Sequence, residues 1–410
     1  MGQTLSEPIV DKHSTHGEDD ARRLAYGASC MQGWRLTMED AHTTLLKIDE
    51  APGLGFFAVF DGHGGRSAAV YCGEQLHSRI IKDDAFGRAD YATAIKNGFL
   101  GIDMDLRQDP EFDDMSGCTA VVALITPDDR IFVGNAGDSR AVMSINGVVK
   151  PLSFDHKPAN RSESARIVAA GGFVEFGRVN GNLALSRAIG DFEFKQNMNL
   201  SAEQQVVTAN PDILEHRVAH EEDEFVVLAC DGIWDCMSSQ SVVDFVREHV
   251  ANGESLATVC EKLMDQCLAR ENEYSAGVGY DNMTVMVVAL LGGRTLEEWY
   301  AMIRDRVKEK RKMKEARIDD HEGIEEDAAF DRQVALDAGD EGDEPATNHV
   351  EVTSTSTVTL VKAEGLDQAE TGLGPIGQED AMEEAAVAGQ AQQGERAAQE
   401  QSPSGDEKGG

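Results

Sequence analysis

The chain has 410 residues, 41% of them apolar, and 37 Lys/Arg against 74 Asp/Glu give a formal net charge of -37. A field of that sign repels phosphate backbones and argues against nucleic acid as a partner. No apolar run approaches the length of a transmembrane helix, and the first 25 residues lack the apolar core of a secretory signal, so a cytoplasmic or nuclear home is expected.

Residues 1–25 read as an N-terminal arm. Its start, Met1-Gly2-Gln3-Thr4-Leu5-Ser6, fits the pattern for N-myristoylation at Gly2. One such chain anchors weakly and an acidic protein is repelled by an anionic leaflet, so at most weak membrane association is expected. From 26 to 292, apolar runs of strand length recur: GFFAVF (55–60), CTAVVALI (118–125), RIFVGNA (130–136), EFVVLAC (224–230) and MTVMVVALL (283–291). They are β-branched but do not alternate cleanly, which suits strands covered on both faces. Helical patterns lie between them at 65–82, 91–107, 162–170, 239–250 and 255–270. Ser239 before Val242 and Val243, and Ser255 before Val259 and Leu263, combine a cap with a 3.6-residue period. No repeat or linker interrupts this stretch, which reads as one mixed α/β domain large enough for a substantial core.

Residues 293–318 form a helical extension, apolar at Leu296, Trp299, Tyr300, Ile303 and Val307, with a basic end (KEKRKMK, 308–314) that suits a nuclear-localisation patch or a solvated face. Residues 319–410 carry 24 Asp/Glu against 4 Lys/Arg, and Phe330 is their only aromatic. Such a tail buries too little apolar surface to offset its chain entropy and is expected to be disordered, either a solvating tail or a docking arm for basic partners. Within it, 350–361 is β-prone without a partner strand, and the G-x-G-x-x-G at Gly372, Gly374 and Gly377 lacks a βαβ context. The seven cysteines are scattered, with no C-x-x-C, and read as free, mostly buried thiols.

Acidic residues placed immediately after apolar strands carry the chemistry. GFFAVF runs into Asp61-Gly62-His63-Gly64-Gly65, and EFVVLAC into Asp231-Gly232-Ile233-Trp234-Asp235. Asp138 follows GNAG, and Asp281 opens the last strand. Any one Asp-Gly is most simply a turn. Four desolvated carboxylates, with Glu39 and Asp40 added, would repel one another unless a divalent cation sat among them. Oxygen-only donors point to Mg²⁺ or Mn²⁺ and away from Zn²⁺. His63 is either a structural loop histidine or, beside a metal-binding Asp, a proton donor with a pKa near working pH. Arg35 offers either an ion pair to Glu39 or a planar fork for phosphate oxygens.

With these residues in place, the sequence resembles the metal-dependent Ser/Thr protein phosphatases of the protein phosphatase 2C family. The matching segments stand in family order: SCMQGWRLTMEDAH (29–42), FFAVFDGHGG (56–65), SGCTAVV (116–122), GNAGDSRAV (134–142), DHKP (155–158), RVNGNLALSRAIGD (178–191), ACDGIWD (229–235) and DNMTV (281–285). They cover about 26–291, and the long acidic extension is similar to that of fungal members.

The resemblance implies an α+β fold, a four-layer αββα sandwich of two antiparallel sheets flanked by helices. It implies two Mn²⁺ or Mg²⁺ ions bridged by Asp61, with the Gly62 carbonyl, Asp231 and Asp281 as further direct ligands. Glu39 and Asp40 would act through bound water, and Asp138 and Asp235, with Asp231, would hold a weaker third ion. Arg35 would bind the phosphate and His63 serve as general acid while water activated between the ions attacks phosphorus in line. Substrates would be phosphoserine and phosphothreonine in proteins, kinases and other signalling proteins among them, and the enzyme a monomer. The segment before Asp281 is longer than in many relatives, and Tyr280 stands where a small or basic residue is common. The rival class is an inactive relative serving as a scaffold, but such proteins lose the metal-binding acids that this chain keeps.

Overall fold

The computed structural model describes residues 4–110, 112, 115–270 and 277–320, with side chains to Met313. The expected acidic tail beyond 320, the β-prone 350–361, the glycine motif at 372–377 and Gly2 lie outside the described residues.

Two antiparallel sheets form the body. The first has five strands in the order Asp212–Arg217, Arg130–Ala136, Ala120–Ile125, Gly55–Phe60 and Ala41–Leu45. The second has six, in the order Thr4–Glu18, Leu24–Arg35, Met283–Leu290, Asp223–Ala229, Arg140–Ile145 and Val148–Pro151. The missing polar alternation in the central strands has a direct cause. Phe57 and Val59 point between the sheets, where they meet Val121, Val133, Val226 and Met286, while Phe56, Ala58 and Phe60 point outward into a helical layer. Every residue of Gly55–Phe60 is therefore buried, so both phases of the strand's two-residue period are apolar.

Helices Ser67–Ile81 and Tyr91–Gln108 cover the five-stranded sheet. Helices Ser239–Ala251, Leu256–Cys267 and Leu296–Asp320 cover the six-stranded one. The expected four layers are all present. The cap expected at Ser239 falls one residue earlier: Ser238 Oγ accepts the Ser241 N–H, while Ser255 caps its helix as expected through the Thr258 N–H. The sheet also runs through the boundary placed at residue 25, because Thr4–Glu18 pairs along Leu24–Arg35. The last helix belongs to the same body. Trp299 and Ile303 are fully buried in the outer core, and Trp299 Nε1 donates to the Glu224 carbonyl at 3.1 Å. Its basic end is exposed, with Arg311 bonded to Glu248.

Beside the sheets, helix Arg161–Ala169 and the hairpin of Val174–Glu175 with Arg178–Val179 form a small unit. It is organised by Glu163, whose buried carboxylate accepts from Arg166 (2.7 Å), Arg187 (2.8 Å) and Ser186 Oγ (2.7 Å). Arg187 continues to Asp212 at 2.6 Å and so ties the unit to the edge of the five-stranded sheet. Burial alone would raise the Glu163 pKa, but Arg187 and Arg166 outweigh it and hold it at about 2, below its ordinary 4.5. A depressed carboxylate stabilises the fold above its unfolded pKa, and that contribution is lost as pH falls from about 4.5 towards 2. We expect Glu163→Gln to cost about 3 kcal/mol at pH 7 by removing one partner of a buried ion pair. In urea unfolding followed by tryptophan fluorescence, the gap to wild type should narrow between pH 4.5 and 3.5; a gap constant with pH would contradict this account.

Candidate metal centre and active site

The acids converge because of where the strands end. Asp61 follows Gly55–Phe60 from one sheet, and Asp231 follows Asp223–Ala229 from the other. Asp138 sits in the turn between Arg130–Ala136 and Arg140–Ile145, and Asp281 lies two residues before Met283–Leu290. Asp61, Gly62, His63, Asp138, Asp231, Asp281, Arg35 and Glu39 line one open cleft of about 420 Å³, which Arg178, Asn182 and Leu183 line as well. Asp40 lies close beneath, and ligand atoms of Asp40, Asp61 and Cys230 fall within 4.8 Å of one another. Asp235 is exposed and outside the cleft lining, yet close enough for its charge to act on Asp231 and Asp138.

Backbone packing explains the glycine after Asp61. Gly62 has no positive φ and is not there for a turn; it pairs with Cys118 in a short strand, and a Cβ on it would lie 2.3 Å from the Glu39 carbonyl oxygen. The turn expected of this Asp-Gly is instead a close approach between two acid-bearing segments. Asp61 is fixed at both backbone ends: its N–H donates to Thr119 Oγ1 (3.2 Å) and its carbonyl accepts the Thr119 N–H (2.9 Å). Asn282 spans the opposite side, accepting the Glu39 N–H (2.9 Å) and donating to the Gln32 (2.8 Å) and Thr37 (3.0 Å) carbonyls.

Crowding sets the electrostatics. Burial first, then Asp231, Asp40, Asp138 and Asp281, pushes the Asp61 carboxyl well above the ordinary range. Asp231 is raised in the same way by burial and by Asp138 and Asp281. Asp40 is pushed up to about 7, again mainly by burial, although Thr284 Oγ1 donates to its Oδ2 at 2.6 Å. Its other oxygen, Oδ1, is buried without a hydrogen-bond partner. A buried carboxylate oxygen left without a partner, on an acid grouped with Asp61, is an environment that a hard divalent cation satisfies. The donors are oxygens, and the neighbouring Cys230 thiol is held protonated by its burial and by the Asp40, Asp61 and Asp231 charges. The residues present thus fit Mg²⁺ or Mn²⁺.

Two cationic side chains sit on this cluster. Arg35 pairs with Asp281, not with Glu39. Lys157 pairs with Asp138, whose pKa burial nevertheless holds above its ordinary value. Glu39 instead accepts from Thr37 Oγ1 (2.8 Å) and the Gly65 N–H (3.3 Å), which steadies the loop after His63.

His63 is held by a residue to which the sequence reading gave no role. Its Nε2 lies 2.9 and 2.8 Å from the two oxygens of Asp191, itself 5% exposed. Three short strands build this contact: His63 pairs with Gly117, and Gly117 with Gly190. A Cβ on Gly117 would lie 2.3 Å from Asp191 Oδ2, so only glycine leaves room for the carboxylate. Burial works to lower the His63 pKa, but the Asp191 hydrogen bond and charge outweigh it and the net displacement is upward. Asp191, Lys157, Thr119, Asn282 and Thr284 all lie inside the matching segments quoted above. Asn282 beside Asp281 carries a local signal; Thr119 and Asp191 stand next to no candidate acid, and only the fold brings them to the site. Tyr280, the departure before Asp281, stacks on Trp34 with ring centroids 5.3 Å apart.

Residues 24–276 match the protein phosphatase 2C family. The chain is 54% identical to protein phosphatase 2C homolog 2 of Aspergillus flavus over 311 residues, covering 73% of this chain and 70% of that one. It is also 54% identical to protein phosphatase 2C homolog 2 of Schizosaccharomyces pombe over 312 residues, covering 75% and 83%. Among solved structures, a phosphatase from a pathogenic strain of Toxoplasma gondii superposes with a TM-score of 0.58 at 28% identity, over 68% of this chain and 96% of that one. The chain therefore belongs to the protein phosphatase 2C family and is a metal-dependent serine/threonine protein phosphatase acting on phosphorylated proteins.

Proposed function

We propose that Asp61, the Gly62 carbonyl, Asp231 and Asp281 hold two Mn²⁺ or Mg²⁺ ions directly, with Glu39 and Asp40 acting through water. Asp138, Asp231 and Asp235 hold a weaker third. The observation that carries this reading is the buried, mutually raised carboxylate cluster with Asp40 Oδ1 left unsatisfied. When bound, such ions supply positive charge and water activation near neutral pH.

The protein's own side chains then do the positioning. Arg35 is nearly half exposed at the cleft and able to leave Asp281. It presents its planar fork to the phosphate oxygens and offsets the charge that builds on them. His63, whose Nε2 is engaged by Asp191, has Nδ1 free to deliver a proton to the departing seryl or threonyl oxygen. Asp191 fixes the ring and favours its charged form. Kinases and other signalling proteins are the substrates we propose, met by a monomer in the cytoplasm or nucleus. A myristoyl group on Gly2 would add weak membrane attachment.

Purified protein should release phosphate from a phosphothreonine peptide with Mn²⁺ or Mg²⁺ and stop with EDTA; metal-independent release would reject the centre. Asp61→Asn should fold and lose turnover altogether. Asp191→Asn should lower kcat on the same peptide by about 10–100-fold, less than the about 10²–10⁴-fold of a lost general acid because His63 itself remains, and leave KM nearly unchanged. A rise in KM at unchanged kcat would assign Asp191 to substrate binding instead.

A further inference from the structure

Lys157 is anchored unlike a surface lysine. The neighbouring His156 donates its N–H to the Gly137 carbonyl (2.9 Å), accepts the Gly137 N–H at Nδ1 (3.2 Å), and reaches Asp212 through Nε2 (3.1 Å). Asp155 is clamped by Arg140 through two bonds of 2.9 and 2.8 Å, and its carbonyl accepts from Asn160 (2.9 Å). Pro158 follows directly. The backbone is thus pinned on both sides of Lys157, while its side chain, 41% exposed, pivots on a four-carbon stem. Its ammonium sits on Asp138, which is 4% exposed, and feels the charges of Asp231 and Asp155 as well.

We propose that Lys157 is an internal counter-ion on the Asp138 side of the centre, competing with the weakly held cation there, so that the lysine must swing out before Asp138 can act as a ligand. The inference rests on the metal-centre reading above. The ammonium carries one charge where the ion brings two, so it neutralises Asp138 only in part and is displaceable. The buried acid thereby keeps a partner whether or not an ion is bound, and the ion pays for removing the lysine, which makes this position weaker than those around Asp61.

The test is a titration of the full chain with Mn²⁺ alone, reading free Mn²⁺ by electron paramagnetic resonance. Wild type, Lys157→Met, Asp138→Asn and the double variant are compared, with thermal unfolding as a check that each is folded. Lys157→Met should tighten the weakest site about tenfold, a change of about 1.4 kcal/mol, and leave the tighter sites within about twofold. Asp138→Asn and the double variant should both lose that site. If Lys157→Met does not fold, Lys157→Gln carries the same expectation. An unchanged or weakened third site in a folded variant overturns the proposal, as does a third site insensitive to Asp138→Asn. Absence of any Mn²⁺ binding by the wild type would instead overturn the metal-centre reading.

Discussion

Charge crowding at the strand ends is the constraint from which the rest follows. Two ionised carboxylates about 4 Å apart repel by about 4 kcal/mol at an effective dielectric of 20. Asp61, Asp231 and Asp138 each feel the charge of more than one other acid from a buried position, and buried Asp40 feels that of Asp281. Native proteins hold only about 5–15 kcal/mol in total, so the cluster survives only with protons, counter-ions or metal to offset it. Arg35 on Asp281 and Lys157 on Asp138 supply the counter-ions that the chain itself carries. Both are long, part-exposed side chains, whereas the acids are short and rooted in strand ends. Ligands that stay put beside counter-ions that move are what a site needs if it is to exchange one kind of cation for another.

Holding the acids in place takes neutral groups, because further charge would alter the balance. Thr119 clasps the Asp61 backbone, Thr284 donates to Asp40, and Asn282 bridges the segments bearing Glu39, Gln32 and Thr37. The substitutions that matter at these positions are isosteric. A valine at 119 keeps the volume but removes the hydroxyl acceptor for the Asp61 N–H, and an unpaired buried N–H costs about 1–3 kcal/mol.

Much of this was legible beforehand. The doubly buried strands, the acids behind them and the helices at 91–107 and 239–250 stand close to their expected positions, because a strand covered on both faces and a capped amphipathic helix leave strong local signals. Thr4–Glu18 reads as an arm in the sequence for the opposite reason. As a polar edge strand it buries little and owes its form to pairing with Leu24–Arg35. The Arg35–Asp281 pair and the His63–Asp191 contact join residues 246 and 128 positions apart. Each is set by sheet register that no local pattern encodes. In the sequence, Arg35 stands beside Glu39, which is why a pair between them was the natural local guess.

His63 follows directly on Asp61 and Gly62, but the carboxylate that holds its ring comes from a distant part of the chain. Asp191 comes from the stretch that also supplies Arg178, Asn182 and Leu183 to the cleft wall. That stretch is braced on two sides. Glu163 holds Arg187 and Ser186, while Asp103 takes both the Gly190 N–H (2.8 Å) and the buried Lys195 ammonium (2.6 Å). The segment that lines the cleft through Arg178, Asn182 and Leu183 therefore also carries the carboxylate that orients His63. Asp191 thus depends on the placement of this cleft-lining stretch, whereas Asp61 and Asp231 are rooted at the ends of sheet strands. Sequence change along 178–183 therefore reaches His63 through Asp191, while the carboxylates at the strand ends keep their own backbone supports.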